Sequence, residues 1–197
     1  MSHLICVLPG TVLDVGANIG TWAFYWVAQG HRVVAVEGMP SNVAMINATL
    51  CANPSFAERM IVKHALLGAP ENEADDCAIV TNVNSGNGNV ICGKRAIDAY
   101  TETHPGSSVA FVPVRTLQSI LDEVGIFDYQ AFKMDIEGSE CKALRGAPDL
   151  ANRYTLNFVL IEQTFDEVKE CAGKFAVDGD FRVLHNSADL VLSRGTF

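Results

Sequence analysis

The sequence predicts an α/β protein with a mostly parallel sheet of about seven strands, helices on both faces and a closing antiparallel hairpin. Three observations predict it. Apolar, β-branched runs of strand length alternate with helix-length segments. The first run ends in a glycine-spaced turn that opens a helix. The last two runs are joined only by Asn186-Ser187-Ala188, a link suited to a hairpin.

Taken in order, Val12-Leu13-Asp14-Val15 reads as a strand buried on both faces, stopped by Gly16. Thr21 to Gln29 is a helix expected to be largely buried, since it carries Trp22, Phe24, Tyr25, Trp26 and Val27; its aromatics, Trp26 above all, are expected to pack beneath it. Val33 to Glu37 is the second strand, completing a βαβ unit. A second helix follows, with Ser41 as its expected N-cap and Val43, Ile46 and Leu50 at helical spacing. Met60 to Leu67 is a third strand candidate.

From Gly68 to Ser108 the pattern breaks into a variable excursion, in which Cys77 to Val80 and Val90 to Cys92 flank an Asn/Gly loop like the arms of a hairpin. Val109 to Val114 reads as extended. Thr116 caps a helix that ends at Gly125. Ala131 to Ile136 is a strand, Ser139 begins a helix, and Leu156 to Glu162 is another strand. Phe165 to Phe175 is a helix, and Phe181–His185 with Asp189–Ser193 closes the chain. The whole is a Rossmann-like arrangement in a single domain over residues 1–197.

Composition narrows the function. Fourteen Lys and Arg against 23 Asp and Glu give a formal net charge of −9, so a nucleic-acid partner is not expected, because affinity for phosphate backbones needs clustered cations. No apolar run approaches the roughly 18 residues of a membrane helix. The start of the chain lacks the basic and apolar regions of a leader peptide, which suggests a cytoplasmic protein. The sequon Asn47-Ala48-Thr49 is the one contrary sign. Six scattered cysteines without a C-x-x-C pair are expected to be mostly reduced thiols. The histidines show no metal-ligand spacing, and no metal site is expected.

The chemistry concentrates at strand ends. Asp14-Val-Gly16-Ala17-Asn18-Ile-Gly20 joins a strand to a helix N-terminus, where glycines permit close approach and unpaired N–H groups face outward. Asn18 and Thr21 replace the second and third glycines of the dinucleotide fingerprint, and Asp14 adds negative charge, so pyrophosphate is disfavoured. Glu37, 21 residues after Gly16, ends the second strand where a carboxylate can accept from both ribose hydroxyls. A ribose beside a cationic group describes S-adenosyl-L-methionine. A tight turn and a solvated strand end would account for Gly16, Gly20 and Glu37 taken singly; Asp14 and the strand context favour the cofactor.

Lys133-Met-Asp135-Ile-Glu137-Gly-Ser-Glu140 lies at another strand end and should face the same crevice. Together with the first stretch, Glu37, Pro40, Asn42, Asn47 and Asn53, it resembles the signature of FkbM-type S-adenosylmethionine-dependent methyltransferases. The resemblance implies the class I methyltransferase fold and methyl transfer to a hydroxyl of a small molecule or carbohydrate. A non-catalytic nucleotide-binding module of the same fold is the alternative. Carried over position by position, Asp14, Gly16, Ala17, Asn18 and Gly20 would hold the methionine portion and Glu37 the ribose. His64 and Ala65 would lie beside the adenine. Asp135 would face the amino group or the methyl, and Glu137 would be the general base. Glu140 is expected to serve helix stability only. Gly38 and Gln118 depart from the family pattern, and the covering N-terminal helix of longer relatives is not expected.

Overall fold

The computed structural model describes residues 9–72, 76–81 and 88–194. The chain opens with β1 (Thr11–Val15), α1 (Thr21–Ala28), β2 (Arg32–Glu37), α2 (Pro40–Ala52), a short α3 (Pro54–Ala57) and β3 (Met60–His64). The excursion holds β4 (Leu66–Leu67), a 3-10 turn at Pro70–Asn72, β5 (Cys77–Thr81), β6 (Asn89–Cys92), α4 (Lys94–Thr103) and β7 (Ser108–Phe111). After β8 (Val114–Arg115) come α5 (Leu117–Val124), β9 (Asp128–Met134), α6 (Glu140–Arg145), α7 (Leu150–Arg153), β10 (Thr155–Glu162), α8 (Asp166–Asp178), β11 (Arg182–Asn186) and β12 (Asp189–Ser193).

Seven strands form the main sheet in the order β11-β12-β10-β9-β1-β2-β3. The inner pairs are parallel, and β12 is antiparallel to both β10 and β11. This is the expected mixed sheet with its closing hairpin. Strand alternation sends Leu13, Val15, Val34 and Val36 into one core with Leu117, Leu144 and Val168. Val12, Val33 and Ala35 enter the other with Ala23, Val27 and Ile46. The sheet order brings the loops after β1, β2, β9 and β10 to one end, where ligands of open α/β sheets bind.

Several expectations need correction. The third strand stops at His64, because Leu66 and Leu67 leave the main sheet to pair with Val114 and Arg115. The second helix begins two residues early: Pro40 takes the first helical position, where its missing N–H costs nothing, and Met39, not Ser41, is the cap. α1 is not buried all round, since Trp22 and Tyr25 are more than half exposed while Ala23 and Val27 face the core. Trp26 is half-buried against that core and stands edge-on to His31. The helix α4 lies in the excursion, where no helix is predicted; only Ile97 of it is fully buried, so its apolar signal is faint.

The cysteines also differ from expectation. Cys77–Cys92 and Cys141–Cys171 are disulfides, and Cys51 is free and exposed. Cys77 and Cys92 face each other directly in the β5–β6 register, and Cys141 and Cys171 sit on the packed helices α6 and α8. Spacing along the chain does not encode either proximity. The antiparallel β5–β6 pair and β7 make a separate three-stranded sheet, which bears out the hairpin read in the excursion. Most of its Asn/Gly loop lies outside the described residues. No helix among the described residues is long and apolar enough to cross a membrane.

Candidate functional site

The turn after β1 is set by its backbone. Gly16 and Gly20 have φ of 80° and 91°, and Asn18, at 54°, shares the left-handed region, which costs an asparagine less than most side chains. A Cβ on Gly16 would lie 1.8 Å from the Asp135 carbonyl oxygen. Only glycine lets these two strand ends meet. The Gly16 and Ala17 N–H groups both donate to the Val36 carbonyl, at 2.9 and 3.1 Å.

β2 ends in Glu37, whose side chain is buried on the same sheet face as Val33 and Ala35. Its carboxylate accepts from the Asn18 N–H at 2.8 Å and the Met39 N–H at 2.7 Å, with the Asn42 amide at 3.5 Å. Asn42 also donates to the Asn18 side-chain oxygen at 3.3 Å. Burial pushes the Glu37 carboxyl up from the ordinary range, and the two backbone N–H groups oppose that shift.

Lys133 of β9 stands level with Asp14 in the β1–β9 register. Its ammonium donates to the Gly16 carbonyl at 2.9 Å and lies 3.4 Å from Asp14 Oδ1 and 3.5 Å from Asp135 Oδ2. Asp14 is 1% exposed, and neither of its oxygens accepts a hydrogen bond among the described residues. Burial raises its pKa while Lys133 draws it down. Lys133 therefore neutralises a buried carboxylate and ties down the glycine turn.

These residues surround a cavity of about 470 Å³. Its lining includes Gly16, Ala17, Asn18, Glu37, Ala65, Lys133, Asp135 and Glu137, so the structure brings together most residues singled out in the sequence. Asp14 and Gly20 lie behind the lining. His64 also lies outside it: the ring is exposed, with Nε2 3.0 Å from the Gly38 carbonyl oxygen. That strand-end exposure, together with the departure of Leu66 and Leu67 from the sheet, turns His64 away and leaves Ala65 facing inward. Ile79, Gly88 and Val90 of the excursion complete the wall.

After β9 the chain passes through Glu137 and Gly138, both at positive φ, 54° and 92°. Buried Glu140 reaches back from α6 to accept the Ile136 N–H at 2.8 Å, so it pins this loop rather than merely favouring the helix dipole. Gln118 bonds Asp122 and the Tyr154 hydroxyl, away from the cavity. Gly38 sits close to its neighbours: a Cβ there would meet the terminal methyls of Leu66 at 2.8 Å and Ile79 at 2.9 Å, which would have to shift.

Sequence reasoning misses Glu162, the last residue of β10. Its Oε2 is buried without a hydrogen-bond partner among the described residues. Burial, followed by the negative charges of Asp135 and Glu137, raises its pKa. Its only readable signal is its place at a strand end beside β9. Trp22 and Ile19 also line the cavity; their apolar character suggests core instead.

The profile of the Methyltransferase FkbM domain matches residues 14–191, nearly the whole chain. The chain belongs to the FkbM methyltransferase family. With the family comes S-adenosyl-L-methionine as the cofactor. No curated protein sequence matches the chain. Among solved structures, the FkbM methyltransferase of Methylobacillus flagellatus KT is 19% identical with a TM-score of 0.59, over 93% of this chain and 43% of that one. This chain thus spans less than half the length of that FkbM relative. Precorrin-6y C5,15-methyltransferase of Geobacter metallireducens GS-15 is 10% identical with a TM-score of 0.51, over 92% and 77% of the two chains. The ribosomal protein L11 methylase of Lactobacillus delbrueckii subsp. bulgaricus is 13% identical with a TM-score of 0.50, over 98% and 73%. At these identities the likeness is one of fold: the class I methyltransferase sheet carrying the FkbM domain.

Proposed function

We propose that this FkbM domain transfers a methyl group from S-adenosyl-L-methionine to a hydroxyl oxygen of a small molecule or carbohydrate. The observation that carries the cofactor half is Glu37: a buried carboxylate at the end of β2, held by the Asn18 and Met39 N–H groups and lining the cavity under the glycine turn. A carboxylate has about four lone-pair positions, so capacity remains for ribose hydroxyls beside the backbone donors. Gly16 to Asn18 supply a close-approach backbone for the methionine portion, and Ala65 an apolar contact for the adenine. Asp14 contributes through Lys133 rather than by touching the ligand. The bound cofactor supplies an electrophilic methyl on a cationic sulfur, which the surrounding carboxylates of Asp135 and Glu137 suit.

On the acceptor side, Glu137 is the general base. It lies in the cavity lining on a loop fixed by Glu140, and its role is to take the proton from the attacking hydroxyl. Asp135 completes the reacting end, adjacent to Lys133. A placed base contributes about 10²–10⁴-fold, with orientation of the hydroxyl supplying more.

Calorimetric titration with S-adenosyl-L-methionine tests the first half. Glu37→Gln should weaken binding about tenfold or more, the scale of a hydrogen bond to a charged group, while the thermal melt stays cooperative. Unchanged affinity removes the ribose assignment. Glu137→Gln should lower turnover about 10²–10⁴-fold and leave cofactor affinity alone; equal turnover removes it as base.

A further inference from the structure

Trp22 is 58% exposed although it lines the cavity, and Ile19, 49% exposed, lines it as well. Neither belongs to the core beneath α1, which is made by Ala23 and Val27 with Phe24 and Trp26 against them. Tyr25, one helical turn on, meets Trp22 edge-on with ring centroids 6.3 Å apart, a geometry that orients the indole. The result is a braced apolar plate at the cavity rim, placed where the apolar face of a ligand in the cavity would lie against it. Among the described residues, the charge at the reacting end is negative: Asp135 and Glu137 line the cavity, Glu162 feels both of their charges, and Lys133 is already engaged by Asp14, Asp135 and the Gly16 carbonyl.

From this pairing of surfaces we infer that Trp22, with Ile19 beside it and Tyr25 behind it, is the acceptor platform, and that the acceptor is an uncharged saturated ring bearing hydroxyls, of the pyranoside kind. Such a ring presents C–H bonds on a face that packs against an indole, and hydroxyls at its edge that donate to carboxylates. A phosphorylated or carboxylated acceptor meets repulsion from Asp135 and Glu137. Flat aromatics without hydroxyls would stack on the indole but offer no donors to the opposite wall. The inference rests on the methyl-transfer reading for its geometry, and its test separates the two.

The chain contains two tryptophans, Trp22 and Trp26, so Trp26→Phe leaves Trp22 as the sole indole emitter. S-adenosylhomocysteine is first titrated calorimetrically into this variant; failure to bind overturns the methyl-transfer reading and the platform with it. With the thioether bound, methyl α-D-mannopyranoside and methyl β-D-glucopyranoside are titrated while Trp22 emission is followed, with glucose 6-phosphate and glucosamine as charged counterparts. A saturable blue shift with at least one neutral glycoside, and none with glucose 6-phosphate, is the expected result. Trp22→Ala should weaken that glycoside about tenfold, read calorimetrically, consistent with loss of one ring contact and its buried area, while S-adenosylhomocysteine affinity changes less than twofold. If the thioether binds but no neutral glycoside does, or if only glucosamine shifts the emission, the platform assignment is overturned and the cofactor reading stands. The platform is equally overturned if the thioether alone produces the whole emission change, for Trp22 then belongs to the cofactor.

Discussion

Replacing Lys133 by methionine keeps an unbranched side chain one atom shorter and removes the cation that faces Asp14. Asp14 is 1% exposed, its oxygens accept no hydrogen bond among the described residues, and the Lys133 ammonium lies 3.4 Å away. Losing one member of a buried pair costs about 3–5 kcal/mol, because the remaining charge is stranded. Lys133 keeps some exposure, its side chain being 18% accessible, so we expect about 3 kcal/mol, the lower end of that range. The penalty depends on pH with a definite sign. Burial already raises the native pKa of Asp14 above the unfolded value of about 3.9, and removing Lys133 raises it further. A carboxyl with a raised native pKa binds its proton more tightly when folded, so its contribution is intact at low pH and lost as pH rises through the native value. The deficit of Lys133→Met should therefore be smaller at pH 4, where the lost hydrogen bond to the Gly16 carbonyl dominates it, and larger at pH 8. Urea unfolding at both pH values measures it. Adding Asp14→Asn removes the stranded charge and should recover most of the loss at pH 8, a coupling of more than about 1 kcal/mol in the double-mutant cycle. A deficit equal at both pH values, or strictly additive substitutions, would refute the argument that Lys133 serves to neutralise Asp14.

Two further outcomes follow from the same geometry. Gly16→Ala puts a Cβ 1.8 Å from the Asp135 carbonyl oxygen at a φ of 80°; it should cost about 1–3 kcal/mol from the backbone conformation alone, with more from the clash, and abolish calorimetric binding of the cofactor. Cys77→Ser with Cys92→Ser opens a link across 15 residues, a loss of about 3 kcal/mol on the loop-entropy scale; guanidinium unfolding of the oxidised protein and of this variant should differ by that order, and coincident curves would show that the bond does not form in solution.

Local pattern makes much of this molecule legible before any tertiary contact is considered. β2 and β10 are legible from their continuous apolar runs, residues 33–36 and 158–161, which suit strands covered on both faces. The turn at Gly16 and the acid at Glu37 are readable because a close backbone approach and a strand-end carboxylate each admit few residue types. Thr116 and Gly125 bound α5 as the sequence suggests, since capping is a chain-local exchange of hydrogen bonds: Ser119 N–H donates to Thr116 Oγ1, and Gly125 takes the left-handed conformation.

What the fold alone decided concerns groups whose role depends on partners distant in sequence. Lys133 and Gly16 are 117 residues apart, yet one hydrogen bond between them fixes the cavity floor. Asp14 sits behind that floor for the same reason: its charge is neutralised by a lysine level with it on the next strand, and it has no need to face the ligand. The disulfides depend on Cα atoms meeting across a hairpin and between two helices. Trp22 looks like core by composition, whereas its exposure is set by which side of α1 the sheet covers. Residue type and spacing fix what a segment is able to do; only packing fixes what it is left facing, because burial is a property of neighbours and not of the side chain itself.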